Sequence, residues 1–206
     1  EKLMADATAA GIEFCNDFAA VELTMAAPSL DDTMPDNERI TRALRAALGV
    51  ETVEIAFDAM AGLAQALREG GFHVWAAGLR QGGTFRLLDV TAQPAPLCAA
   101  AIDIGTTTVS AVLTDLKTGR LLAKASSGNG QIRYGADVIN RIIEQGKAGG
   151  RKKLQKAVVD ETLNPLLKVM CRSAGVGPER VLRLAVASNT TMNHLLVGVD
   201  ADPVRM

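Results

Sequence analysis

The chain has 206 residues, with 22 lysines and arginines against 23 aspartates and glutamates for a net charge of −1. That balance supplies no field to gather a nucleic acid or an anionic membrane, and neither is expected as a partner. Apolar runs fall far short of a membrane span and no secretory leader opens the sequence; with Cys15, Cys98 and Cys171 in no metal-site spacing, a cytoplasmic protein with reduced thiols is expected.

Residues 1–20 are weakly patterned: Leu3 and Met4, then Ile12 and Phe14, allow a short helix and an extended piece, read as a linker remnant. From the start at Glu1, without an initiator methionine, and the stop at Met206, a piece of a longer protein is expected. Val21 to Met25 reads as a strand ended by Pro28, and Asp36 is placed to cap the helix after it. Ile40, Leu44, Ala47 and Leu48 give that helix one apolar face, and Gly49 stops it. Val53 to Phe57 reads as a short strand or as a lead-in to a second helix, which runs from about Asp58 to Arg68. Phe72 to Ala77 and Thr84 to Val90 form two strands about the Gly82-Gly83 turn. The sum is a small α+β domain over 21–93 with no recognisable chemistry of its own. His73 stands alone, where a metal site needs three or more ligands, and is read as structural or solvent-facing. Trp75 is read as core.

Pro94 and Pro96 mark a linker, and a second domain is expected over 97–206. Cys98 to Ile102 is a continuous apolar run, as in a central strand covered on both faces. Thr108 to Leu113 is a second strand, Asp115 to Gly119 a polar turn and Arg120 to Ala125 a third strand. The polar, glycine-rich stretch Ser126 to Asp137 has two readings: Gln131, Arg133 and Tyr134 reach a cleft or a partner, or the loop leads into a helix capped by Asp137. Val138, Ile139, Ile142 and Ile143 form an apolar stripe, a basic turn breaks it at Lys147 to Lys153, and a helix runs from about Lys153 to Ser173. A final strand, Val181 to Ser188, meets Asn189 and Thr190 at the start of a helix holding a structural His194. A strand end meeting a helix N-terminus faces the crevice of such sheets, so Asn189 and Thr190 are binding candidates as well as cap residues. The sequon Asn189-x-Thr191 is set aside for a cytoplasmic chain.

Chemistry concentrates between the first two strands of this second domain, in Asp103-Ile-Gly-Thr-Thr-Thr108. Gly105 allows close backbone approach and positive φ, and the amides and hydroxyls of Thr106, Thr107 and Thr108 suit phosphate oxygens. Asp103 is placed to hold magnesium through water. The same residues also serve an ordinary hairpin whose threonines are there for β propensity. No P-loop pattern occurs.

The β-β-β-α-β order with Asp-x-Gly-Thr-Thr in its first hairpin resembles the actin, sugar-kinase and heat-shock ATPase superfamily. The fold so implied is α/β: the small domain, then part of a ribonuclease-H-like lobe with a mixed sheet. Three blocks, Ile102 to Val109, Gln131 to Ile142 and Ser188 to Gly198, look like the ATPase domain of the reductive activators of corrinoid proteins. Pro28 to Asp32 and Asp36 to Arg39 are similar to that family's middle domain. The resemblance implies an ATPase-type activator that uses ATP and magnesium to drive an electron from a two-iron two-sulfur domain, absent here, onto cob(II)alamin of a corrinoid iron-sulfur or corrinoid methyl-transfer protein. It implies a homodimer in the full-length protein and a fragment inactive alone, since the second phosphate loop and adenosine segment lie elsewhere. No catalytic base is assignable. The alternatives are another superfamily ATPase or small-molecule kinase, an activator of 2-hydroxyacyl-CoA dehydratases, whose cluster cysteines find no match, and a non-catalytic docking module.

Overall fold

A computed structural model describes residues 17–205; nearly all of the expected linker remnant, and Cys15 with it, lies outside them. The chain divides into two compact units between Ala95 and Pro96.

In the first unit the elements are β1 (Phe18–Thr24), α1 (Asp36–Leu48), β2 (Thr52–Ile55), α2 (Phe57–Glu69), β3 (His73–Gln81) and β4 (Thr84–Thr91). The strands form a mixed sheet in the order β1-β3-β4-β2, antiparallel except for the β2–β4 pair. Ile40 and Leu44 of α1 and Leu63 and Leu67 of α2 pack with Leu23, Val74, Ala76, Phe85 and Leu87 in one core. Gly49 ends α1 at φ 62, the left-handed turn a glycine takes without strain. Three expectations are corrected here. Asp36 does not cap α1, because Pro35 holds that position and the Asp36 carboxylate instead accepts from Arg68 of α2 at 2.6 Å. β1 and β3 run longer than their apolar residues imply, since backbone pairing continues from Phe18–Leu79 to Thr24–His73. Trp75 is not core: the two-residue period that buries Val74 and Ala76 turns Trp75 to the other face, beside the His73 ring at 4.7 Å. His73 itself faces Glu22 at 2.7 Å. The two family-like stretches meet where buried Arg39 donates to Asp32 (2.7 Å) and to the carbonyls of Ala26 and Met34.

The second unit holds β5 (Cys98–Ile104), β6 (Thr108–Asp115), β7 (Leu121–Gly128), α3 (Val138–Gln145), α4 (Gly150–Val158), α5 (Asn164–Ala174), β8 (Val181–Ser188) and α6 (Thr190–Val197). Its mixed sheet has the order β7-β6-β5-β8; β5–β6 and β6–β7 are antiparallel and β5–β8 is parallel. The chain thus holds two four-stranded mixed sheets among its described residues. Cys98, Ala100, Ile102 and Ile104 pack with Leu154, Leu166, Met170 and Leu195 from the helices. β5 is not covered on both faces: Ala101 and Asp103 on its other side are exposed. β8 is more open still, with Leu184 at 54 % exposure.

The single helix expected over 153–173 is two helices joined by a π turn at Val159–Leu163. Pro165 explains the break, for it has no N–H to give the Glu161 carbonyl and its ring would crowd that carbonyl in a regular helix. Cys98 and Cys171 are buried, and burial pushes both thiols up, which keeps them protonated. No helix among the described residues is long and apolar enough to cross a membrane.

Candidate functional site

The β5–β6 hairpin closes through the Gly105 amide, which donates to the Thr108 carbonyl at 3.0 Å. Gly105 is needed for closeness, not for positive φ as expected: its φ lies outside that region, while a Cβ there would sit 2.6 Å from the Thr108 carbonyl oxygen.

The turn's three carbonyls are all tied from the interior. Gly105 O accepts from Asn129 Nδ2 at 2.9 Å, Thr106 O from Arg141 Nη2 at 2.6 Å, and Thr107 O from the Asn129 amide at 2.8 Å. In a trans peptide the next residue's N–H points opposite to the carbonyl. The amides of Thr106 and Thr107 are therefore turned away from the interior, and neither donates to an acceptor among the described residues. Two outward amides in succession are an arrangement suited to an anion.

Asp103 stands one residue before this turn on the open sheet face, between Ser110 of β6 and Ala187 of β8. Its carboxylate is exposed and takes no hydrogen bond or ion pair among the described residues. It lines a trough of about 740 Å³ with Ala101, Ser110, Lys124, Ser126 and Ala187. Asn189 is the N-cap of α6, its Oδ1 accepting from the Met192 amide (2.9 Å), and its Nδ2 donates to Thr106 Oγ1 at 3.4 Å, which places it beside the hairpin. Thr107 and Thr108 are exposed. Thr190 opens α6 and is exposed, with its carbonyl facing His194 Nδ1 at 2.7 Å and no hydrogen bond to the hairpin among the described residues. The structure thus brings Asp103, Gly105, Thr106, Thr107, Thr108 and Asn189 together at one end of the sheet, with Thr190 adjacent.

Two residues that shape the turn, Asn129 and Arg141, were not visible as such from sequence, nor was the burial of Gln131 beside Arg141. Asn129 is 2 % exposed, Gln131 1 % and Arg141 0 %. Gln131 neither lines a cleft nor meets a partner but donates to the Leu154 carbonyl (2.9 Å), while Asp137 caps α3 through the Asn140 amide (2.8 Å). Arg133 lies over the Tyr134 ring at 4.9 Å and pairs with Glu161. A helical period would have found Arg141: the face of α3 carrying Val138 and Ile142 also carries residues 141 and 145. Arg141, Ile142 and Gln145 are the buried set, and Ile139 and Ile143, expected in the stripe, are exposed.

The donor set fits a phosphate group with its cation: outward amides and hydroxyls for the oxygens, one free carboxylate for the metal. Among the described residues no group of three or more His, Cys, Asp or Glu is close enough to hold an ion alone. Magnesium at Asp103 would take its other oxygens from phosphate and water.

Fold and hairpin define a mixed-sheet lobe whose first turn presents outward amides and hydroxyls. The sequence model of the RACo middle region matches residues 98–206, and that of the RACo linker region residues 7–94. The chain belongs to the family of reductive activators of corrinoid proteins. The family's own division calls the small first unit the linker region and the hairpin unit the middle region, one name along from the resemblance stated above. The corrinoid activation enzyme RamQ of Eubacterium limosum is 36 % identical over 104 residues, 50 % of this chain and 17 % of that protein. A solved structure of a reductive activator for a corrinoid iron-sulfur protein is 33 % identical, with a TM-score of 0.74 over 94 % of this chain and 31 % of that one. The chain therefore spans under a third of the length of these relatives. Ta0583, an archaeal actin homolog, is 14 % identical at a TM-score of 0.27, too weak a likeness to bear on the fold.

Proposed function

We propose that this chain is the part of an ATP-dependent reductive activator of corrinoid proteins that holds the polyphosphate. The observation that carries the reading is the pair of outward, unbonded amides at Thr106 and Thr107 beside the free carboxylate of Asp103. On this reading the second unit is half of a ribonuclease-H-like ATPase clamp of the actin and sugar-kinase kind. Thr106, Thr107 and Thr108 face the β- and γ-phosphates, Gly105 lets them approach, and Asp103 holds magnesium through water. Asn189 and Thr190 border the same crevice. Bound magnesium would neutralise part of the phosphate charge.

The rest of the protein supplies the second phosphate loop, the adenosine segment and a two-iron two-sulfur domain, and forms the homodimer. The names of the relatives point to a corrinoid iron-sulfur or corrinoid methyl-transfer protein as partner. The uphill step is reduction of that partner's cob(II)alamin. ATP favours it only through unequal affinity for two conformations of the activator. A clamp with one lobe missing lacks half the groups that stabilise a transferring phosphoryl, so this chain alone would be an inactive ATPase.

Calorimetric titration with Mg-ATP of this chain and of the intact protein tests the reading. Binding should be weak or absent in the first, clear in the second, and abolished by Asp103→Ala. A folded intact protein that binds no Mg-ATP would sink it.

A further inference from the structure

Arg141 is wholly buried, yet among the described residues none of its hydrogen-bond partners is a carboxylate. Its Nε donates to the Gly135 carbonyl (2.8 Å), its Nη2 to the Thr106 carbonyl (2.6 Å), and its Nη1 faces Gln131 Oε1 (3.4 Å) and Met192 Sδ (3.2 Å). Asp137, four residues back, gives its carboxylate to the amide and side chain of Asn140 at 2.8 and 2.9 Å. Burial drives the Arg141 pKa below the usual arginine value, against the attraction of Asp137. An arginine stays charged even so. A buried charge with only neutral acceptors is costly, and its retention asks for a counter-charge.

The counter-charge has a place to sit. The peptide between Thr106 and Thr107 has its carbonyl on the guanidinium and its N–H turned outward at the anion-binding turn. A cation bonded to one end of a peptide strengthens donation from the other end, since hydrogen bonds in a chain polarise one another. One peptide unit therefore links the buried charge to the place where phosphate would lie.

We infer that Arg141 is a positioning residue of this hairpin: it fixes the Thr106 carbonyl and supplies, through that peptide, the buried positive charge that bound phosphate neutralises. The inference rests on the phosphate reading of the hairpin. A neutral donor in the same place would satisfy the carbonyl equally well, so charge is what separates this role from a structural one. Gln131, at the same cluster, marks the contrast, being neutral and bonded to a carbonyl remote from the turn.

The test is calorimetry of the intact protein with Mg-ATP and with inorganic pyrophosphate, on wild type, Arg141→Gln, Arg141→Lys and Asp103→Ala. Thermal midpoints are measured with and without ligand. The glutamine variant should keep or raise the ligand-free midpoint, because a buried charge is gone, yet bind both ligands at least tenfold more weakly. The lysine variant should recover most of that loss. Glutamine binding within twofold of wild type, or lysine no better than glutamine, would overturn the assignment while wild-type binding leaves the phosphate reading standing. Wild type that binds neither ligand removes both. Should the glutamine variant fail to fold, arginine-labelled wild type decides: the Arg141 Nε–H resonance should shift on adding pyrophosphate despite its burial, and a silent resonance overturns the inference.

Discussion

Gly105→Ala is the sharpest probe of the hairpin, because the added atom meets backbone and not a movable side chain. The new Cβ would lie 2.6 Å from the Thr108 carbonyl oxygen, about 0.8 Å inside an ordinary contact of 3.4 Å. That oxygen also accepts the Gly105 amide at 3.0 Å, so relieving the clash stretches the bond that closes the turn. Overpacking of this kind costs about 1–3 kcal/mol and a lost hydrogen bond about 0.5–1.5, for a total of roughly 2–4 kcal/mol. In a unit of this size that lowers the melting midpoint by roughly 10–20 °C. The assay has its own control, since the single tryptophan, Trp75, belongs to the first unit. Far-ultraviolet circular dichroism should show a transition shifted down in the variant, while the Trp75 fluorescence transition keeps its wild-type midpoint. Coincident wild-type and variant melts by circular dichroism would refute the clash, and with it the claim that glycine is there for close approach.

Two further outcomes follow from buried polar groups. Thr162 is 3 % exposed, with its Oγ1 donating to the Ala157 carbonyl (2.8 Å) and accepting from the Gly130 amide (3.0 Å). Thr162→Val keeps the shape and strands that amide, for a loss of about 1–3 kcal/mol; hydrogen exchange at Gly130 should quicken, and an unchanged rate would count against the bond. In the first unit, the hydrogen bond from Arg39 holds the Asp32 carboxyl below its ordinary value, helped by the Met34 amide. A lowered folded pKa gives stability that is full above the unfolded value of about 4 and lost as pH falls through the folded one. The Trp75-monitored denaturation midpoint should therefore drop on acidification below about pH 4, and Asp32→Asn should remove part of that drop; an identical acid profile in the variant would show the pair to be idle.

Local signals carried much of this protein. The hairpin candidates are contiguous, and a carboxylate, a glycine and three threonines on one bend need no distant partner to be seen. Strand and helix positions followed from apolar period and from the punctuation of Gly49, Pro94 and Pro96. Ends moved where pairing ran on past the apolar residues, as in β3. Pro165 was in plain sight but lost to a strong apolar pattern on both sides, and the chain absorbed it in a π turn.

What only the tertiary structure decided was which side of each element is inside. An apolar run reads the same whether one face or two are covered, so the open face of β5 was invisible, as was the outward turn of Trp75. Charge misleads in the opposite direction: an arginine in a helix is taken for surface unless something buries it. Arg141 and Asn129 are buried where three carbonyls, brought together by the β5–β6 turn, find no other donor among the described residues. The sequence could name the candidate residues of the hairpin; the groups that hold its carbonyls come from segments 20 to 40 residues away, and only folding puts them there.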